Sequence, residues 1–220
     1  MSTVDGVSES VVVDVMGVSN AGKTELIEKL LRELQALGIK VRFIQDQIRD
    51  APMSDEIEKN IWAISQIKKL IVEAQTQDWD LIIVERGGGA IFASVDAFSR
   101  LKDFRNSKRS SINLAMNEAL VLLKQYEDFF VVVETDPEVA LHRDREKGQT
   151  TPGLFVNPSV LAALTRAYGR LKDKLVKSRL YVVDGNVDSR ESPEECQEIR
   201  EQLLSKLVSL VRPVCEPSET

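Results

Sequence analysis

The sequence predicts an α/β domain built on a parallel sheet, and three observations lead there. Short apolar runs alternate with longer stretches of helical periodicity from Val11 to Leu210, the pattern of strand–helix–strand units with right-handed crossovers. Several runs are nearly unbroken Val, Ile, Leu and Phe, as in Val11 to Met16, Leu81 to Val84 and Phe129 to Val133, which suits strands covered on both faces. The first run leads directly into Gly17-Val18-Ser19-Asn20-Ala21-Gly22-Lys23-Thr24, a glycine-bounded turn that opens a helix.

Taken in order, residues 1–10 form a polar lead-in. The first strand covers about 11–16, and the first helix, Glu25 to Leu37, places Leu26, Ile27, Leu30, Leu31 and Leu34 on one stripe. Gly38 suits its C-terminal stop. Strand two is Ile39 to Gln45, followed by a polar loop to Pro52. Ser54 to Thr76 reads as one long helix or two joined ones, with Ile57, Ile61, Ile64, Ile67, Ile71 and Ala74 inward. Strand three, Leu81 to Val84, ends at Glu85-Arg86. Gly87-Gly88-Gly89 reads as a flexible break before a helix from Ala90 to Phe104.

A helix from Ile112 to Tyr126 precedes strand four, Phe129 to Val133. Asp136-Pro137 starts a short helix ending near Gly148. Residues 143–157 read as a lid, Asn157-Pro158 caps a helix to about Lys177, and Leu180 to Val183 is strand five. Ser192-Pro193-Glu194-Glu195 carries a capping-box pattern for the last helix, and residues 213–220 read as a frayed tail. No repeat or linker divides the chain, so residues 1–220 are expected to form one domain.

Composition narrows the class. With 43% hydrophobic and 29% charged residues the chain of 220 is an ordinary globular one. A net charge of −6 without a basic block argues against a nucleic-acid partner. No apolar run approaches the ~20 residues of a membrane span, the N-terminus lacks an apolar signal core, and Cys196 and Cys215 have no metal-ligand spacing. A cytoplasmic protein is expected, with reduced thiols.

The chemistry starts at the glycine-bounded turn. In G-x-x-x-x-G-K-[ST] the main-chain amides, here from Gly17 through Ser19, Asn20, Ala21 and Gly22 to Glu25, point at phosphate oxygens, and the helix adds its positive end. Lys23 reaches the outer phosphates and the Thr24 hydroxyl is a ligand for Mg²⁺. The chain is therefore expected to bind ATP with Mg²⁺. Ligands of open parallel sheets sit at the carboxyl ends of the strands, which singles out the next residues. Glu85 is either a second Mg²⁺ ligand or a solvated strand-end acid. Arg86 has the fork for phosphate oxygens. Asp46 is placed to accept a hydroxyl proton, and equally placed for an Asx turn. Arg49 is either an acceptor-binding cation or an exposed loop residue.

Arg143 and Arg145 supply cations from a mobile arm or complement a helix dipole. Two residues apart, they do not share a helix face, and Arg143 is the first choice. The lone His142 has no catalytic partner in the pattern. Trp62 and Gln66, one turn apart, either read a nucleobase or pack in the core; Phe92 and Phe98 either line the pocket or pack in the core.

On these residues the chain resembles the P-loop nucleoside and nucleotide kinases, nearest to the thymidylate-kinase and deoxynucleoside-kinase group, over roughly Val11 to Gly185. The features that carry the resemblance are the Walker A loop, Glu85-Arg86, and the segment from Asp136-Pro137 through Arg143, Arg145 and Gly148. The resemblance implies a three-layer fold with strand order 2-3-1-4-5, transfer of the ATP γ-phosphoryl to a nucleoside-like acceptor, and adenine near Asp184-Gly185-Asn186. It also implies Asp46 as general base and a homodimer through the long helices. Two positions depart from the group: Gly87 follows Glu85-Arg86 where the group has an aromatic or a serine, and Ile64 stands where thymidylate kinases carry an arginine. The glycine triplet leaves room for an acceptor of another shape, including a non-nucleoside hydroxyl compound. A different class, a nucleotide-dependent regulatory ATPase, also fits the loop; a GTPase would show Asn-Lys-x-Asp, which is absent from the sequence.

Overall fold

Apolar strand faces that cannot meet water force the chain into layers, and the computed structural model shows three. It describes residues 10–101, 108–146, 157–187 and 192–212. Five parallel strands, β1 (Val11–Gly17), β2 (Val41–Ile44), β3 (Leu81–Glu85), β4 (Phe129–Glu134) and β5 (Leu180–Asp184), lie in the order β2-β3-β1-β4-β5. The expected order is the observed one. β1 and β3 hold the centre and are almost wholly buried, as their Val and Ile runs require.

On one face α1 (Lys23–Ala36) packs against α7 (Pro193–Val211). The other is covered by α2 (Glu56–Gln75), α3 (Gly88–Arg100), α4 (Arg109–Gln125) and α6 (Pro158–Lys172), with α5 (Pro137–Glu146) against α6. The core runs through both layers, from Ile27, Leu30 and Leu34 of α1 to Phe98 of α3 and Leu161 and Leu164 of α6.

Boundaries shift where side chains cap. α2 is a single helix begun by Asp55, whose carboxylate accepts from the amides of Ile57 and Glu58 at 3.1 Å, so it starts after Ser54. Its buried face carries Asn60 and Ala63 beside Ile57, Ile64, Ile67 and Ile71, while Ile61 is only half-buried. Asn157 caps α6 as expected, through Ser159 N–H at 3.0 Å. Ser192 caps α7 without any side-chain bond, so the expected capping box is not made and Pro193 at the first turn marks the start instead. The expected lid lies outside the described residues over 147–156, as do Cys215 and the tails 1–9 and 213–220.

Candidate functional site

Register puts the pieces of the site on one edge. Gly17 of β1 is opposite Val133, Val15 is opposite Glu85, Ile44 opposite Val84, and Glu134 opposite Asp184. Because all five strands are parallel, the loops after them converge above the same carboxyl end. Asp46, Arg86 and Gly185 therefore surround the turn after β1, as the rule for open parallel sheets requires.

The turn itself has the backbone of a phosphate cradle. Gly17 has φ 151°, and a Cβ there would collide with the Val133 carbonyl. Asn20 (φ 60°) and Gly22 (φ 92°) turn the chain into α1. Lys23 is buried, and its ammonium donates to the carbonyls of Gly17 at 3.0 Å and Val18 at 2.8 Å, so the cation lies folded along the loop. Burial, reinforced by the Arg86 charge, brings it down to about 7, against Glu85 and Asp46, which favour its charged form.

The strand-end residues close around it. Thr24 donates its hydroxyl to Glu85 Oε1 at 2.7 Å. These are hard oxygen donors of the kind Mg²⁺ takes beside phosphate and water, with few protein ligands. Among the described residues no group of three His, Cys, Asp or Glu is placed to hold a metal ion. Asp46 is buried, accepts the Ile48 amide at 3.0 Å, and lies 3.3 Å from Arg86 Nη1 and 3.5 Å from Arg49 Nε. One oxygen of Asp46 thus makes the Asx turn, and the other faces two guanidinium groups. Arg86 is largely buried, whereas the Arg49 side chain is 69% exposed. Arg86 also has φ 64°, a left-handed conformation that costs a non-glycine residue about 1 kcal/mol.

The glycine triplet corrects an expectation. It is not a flexible break: Gly88 and Gly89 already belong to α3, and all three are buried. A Cβ on Gly87 would overlap Glu127 Oε1 and come within 2.8 Å of Asp14 Cγ; one on Gly89 would lie 2.6 Å from Met16 Cε. The space is filled by protein, not left for an acceptor. Asp14, fully buried in β1, accepts the amides of Gly87 at 2.7 Å, Gly89 at 3.0 Å and Ala90 at 3.4 Å; Glu127 accepts that of Gly88 at 2.5 Å. The two carboxylates cap α3 in place of a side chain of its own.

That pair has a pH signature. Burial pushes Asp14 up to about 6 from 3.8, against the lowering effect of the Gly87, Ala90 and Gly89 amides and of the Lys23 ammonium. Glu127 goes well above 4.5, through burial and then the Asp14 charge, against its amides and Arg179. Both folded values exceed the unfolded ones, so the folded state holds more protons, and this contribution to stability falls as pH rises from about 4 through 6. For Asp14 alone the change is about 3 kcal/mol. We expect the stability difference between the protein and its Glu127→Gln variant, followed by thermal unfolding from pH 4 to 8, to change across that window; a flat difference would refute the coupling.

The remaining candidates separate. The Arg143 guanidinium donates to the Gly185 carbonyl at 2.7 Å and, at longer range, to Asn20, Val187 and Asn186 carbonyls at 3.4 to 3.5 Å. Asp144 accepts from Asn20 Nδ2 at 3.0 Å. Arg143 therefore staples the phosphate loop to the loop after β5, and Arg145 is exposed on another face of α5. Glu25 pairs with Lys29 at 2.6 Å and points along α1. Trp62 and Gln66 are half-buried on α2, Trp62 against the core; Phe92 and Phe98 are core residues, and His142 is on the surface.

Sequence reading missed Asp14, Glu127 and Tyr168. Tyr168 of α6 is buried facing the Gly17 amide, and burial raises its phenol to about 12 despite Arg86 and that amide. Its spacing from Leu161, Leu164 and Leu171 reads as core, so no local signal marks it. Asp14 did leave one, as the single acid in a valine strand.

The turn on this sheet has the geometry of a P-loop, and the chain has a fold like that of the P-loop nucleoside kinases. The model of the family "Molybdopterin guanine dinucleotide synthesis protein B" (MobB) matches residues 12–77, a span that includes the phosphate loop and Asp46 and ends before Glu85. Deoxyadenosine kinase from M. mycoides is similar in structure: with the products dCMP and dCDP bound it superposes at TM-score 0.62 with 15% identity, over 90% of this chain and 100% of that one. With dATP bound the values are 0.61 and 17%, over 88% and 98%. No curated protein matches the chain. No helix among the described residues is long and apolar enough to cross a membrane.

Proposed function

We propose that the protein is an ATP- and Mg²⁺-dependent phosphotransferase whose acceptor is a hydroxyl of a nucleoside or nucleoside monophosphate. The observation that carries this reading is the buried Asp46–Arg86 pair beside Lys23. A plain nucleotide-binding loop needs amides, Lys23 and Thr24; it does not need a buried carboxylate held by an arginine next to them.

In this reading the amides from Gly17 to Glu25 bind the triphosphate, and Lys23 leaves the Gly17 and Val18 carbonyls for the outer phosphate oxygens. Thr24 and Glu85 would hold Mg²⁺, which when bound would neutralise charge on the phosphates. Asp46 takes the acceptor hydroxyl proton as its oxygen attacks the γ-phosphorus, and ADP leaves along the opposite line. Arg86 orients Asp46 and brings a guanidinium fork that matches phosphate oxygens to the same edge. Arg49, Trp62 and Gln66 border the acceptor. Arg143, which rests on carbonyls of the loops after β1 and β5, and the exposed Arg145 are the candidate cations for the transferring group, with Arg143 the nearer to the phosphate loop. Ile64 is buried in the core, which leaves no cation there for an acceptor phosphate and tilts the reading towards nucleosides. A location in the cytoplasm and a homodimer through the long helices belong to the same proposal.

The test is a panel of nucleosides and nucleoside monophosphates with ATP labelled on the γ-phosphate and Mg²⁺. Label in at least one acceptor is expected. Label only in inorganic phosphate would overturn the reading in favour of a regulatory ATPase, which the family match over 12–77 also suits because it covers the phosphate loop and stops before Glu85.

A further inference from the structure

An aspartate inside a central valine strand costs stability unless the fold needs it there. Asp14 meets no solvent, and its oxygens are spent on the amides of Gly87, Gly89 and Ala90. Glu127, from the far side of α4, reaches the Gly88 amide between them. Both carboxylates converge on the place where a Gly87 side chain would stand, so triplet and carboxylates are one packed unit. That unit begins at the residue following Arg86. Arg86 N–H is tied to the Val15 carbonyl at 3.1 Å, one residue from Asp14. The left-handed turn at Arg86 is thus clamped on both sides, by β1 before it and by the carboxylates after it.

We infer that Asp14 and Glu127 are positioning residues for Glu85 and Arg86. By gathering the amides of residues 87–90 beneath the strand end, they hold Arg86 left-handed with its guanidinium on Asp46 and keep Glu85 across from Thr24. An unclamped Arg86 relaxes to a commoner backbone conformation, and its side chain then leaves Asp46. The pair touches neither nucleotide nor acceptor. It acts through the turn, as supporting partners of metal and phosphate ligands do. The consequence for turnover rests on the phosphotransfer reading; the geometry does not.

Asp14→Asn in the full chain tests it, with a crystal structure of the variant and calorimetric titration of ATP with and without Mg²⁺. The expected result is Arg86 out of the left-handed region and off Asp46, ATP affinity without Mg²⁺ nearly unchanged, and the gain in affinity from Mg²⁺ cut by about 10-fold or more. Glu127→Gln, which keeps the one acceptor oxygen that the Gly88 amide uses, should by contrast leave Arg86 in its place and retain most of the Mg²⁺ gain. A lowered Tm with Arg86 still on Asp46 and the Mg²⁺ gain intact would make the pair merely structural and overturn the inference. Should Asp14→Asn not fold, NMR of the unaltered protein decides: the Gly87 and Gly89 amides and Arg86 Nε–H are expected to shift together as acid protonates Asp14, and an unmoved Arg86 would refute the link. If no acceptor is ever phosphorylated, the phosphotransfer reading falls while the Arg86 geometry and Mg²⁺ titration still decide this one.

Discussion

Lys23→Ala should lower phosphoryl transfer by at least ~10², or about 2.7 kcal/mol of transition-state stabilisation. The ammonium sits in the phosphate loop, bonded at 2.8 and 3.0 Å to carbonyls that a triphosphate does not need. It can therefore leave them for phosphate oxygens without breaking the cradle of amides. Charge on the β–γ bridge and γ oxygens grows during transfer, and a buried cation counts for more there than in water. The variant should still fold, because burial already disfavours the charged lysine in the free protein. Initial rates with ATP and a responsive acceptor, beside a thermal unfolding curve, check both halves. A rate within a few-fold of the parent would mean that the triphosphate lies elsewhere.

How much of this was legible in the sequence divides by range. The strands and the phosphate loop were readable because they rest on local signals: valine runs, glycine punctuation, and a helix stripe read from Glu25; the strand order came only from the resemblance to the P-loop kinases. Asp46 and Glu85 were readable as strand-end acids, since a parallel sheet delivers strand ends to one place. Their partners were not. The Asp46–Arg86 pair joins β2 to β3, and Asp14 meets Gly87 at a sequence separation of 73; no local pattern encodes either. The triplet was misread for the same reason. Three glycines have the composition of a loose linker, and only the carboxylates from β1 and from the turn after α4 show that the missing side chains make room for a close approach. The contacts of Arg143 were not readable either, because the carbonyls it binds come from the loops after β1 and β5.

Asp46→Asn should reduce transfer by about 10²–10⁴-fold, the range for loss of a general base, while ATP binding stays close to that of the parent. Asn keeps the size of the side chain and one oxygen for the Ile48 amide, so the turn after β2 survives. It loses the charge that faces Arg86 at 3.3 Å and the lone pair that would receive the hydroxyl proton. Arg86, freed of its counter-charge, is left closer in character to a pure phosphate ligand, which is why the loss should fall on kcat and not on nucleotide affinity. The phosphate cradle, built from amides of residues 17–25, does not include Asp46. A nucleotide titration and a kcat measurement on one preparation therefore separate the roles. Equal losses in both would make Asp46 a strut of the nucleotide site, and unchanged values in both would pass the proton to Glu85 or to the acceptor itself.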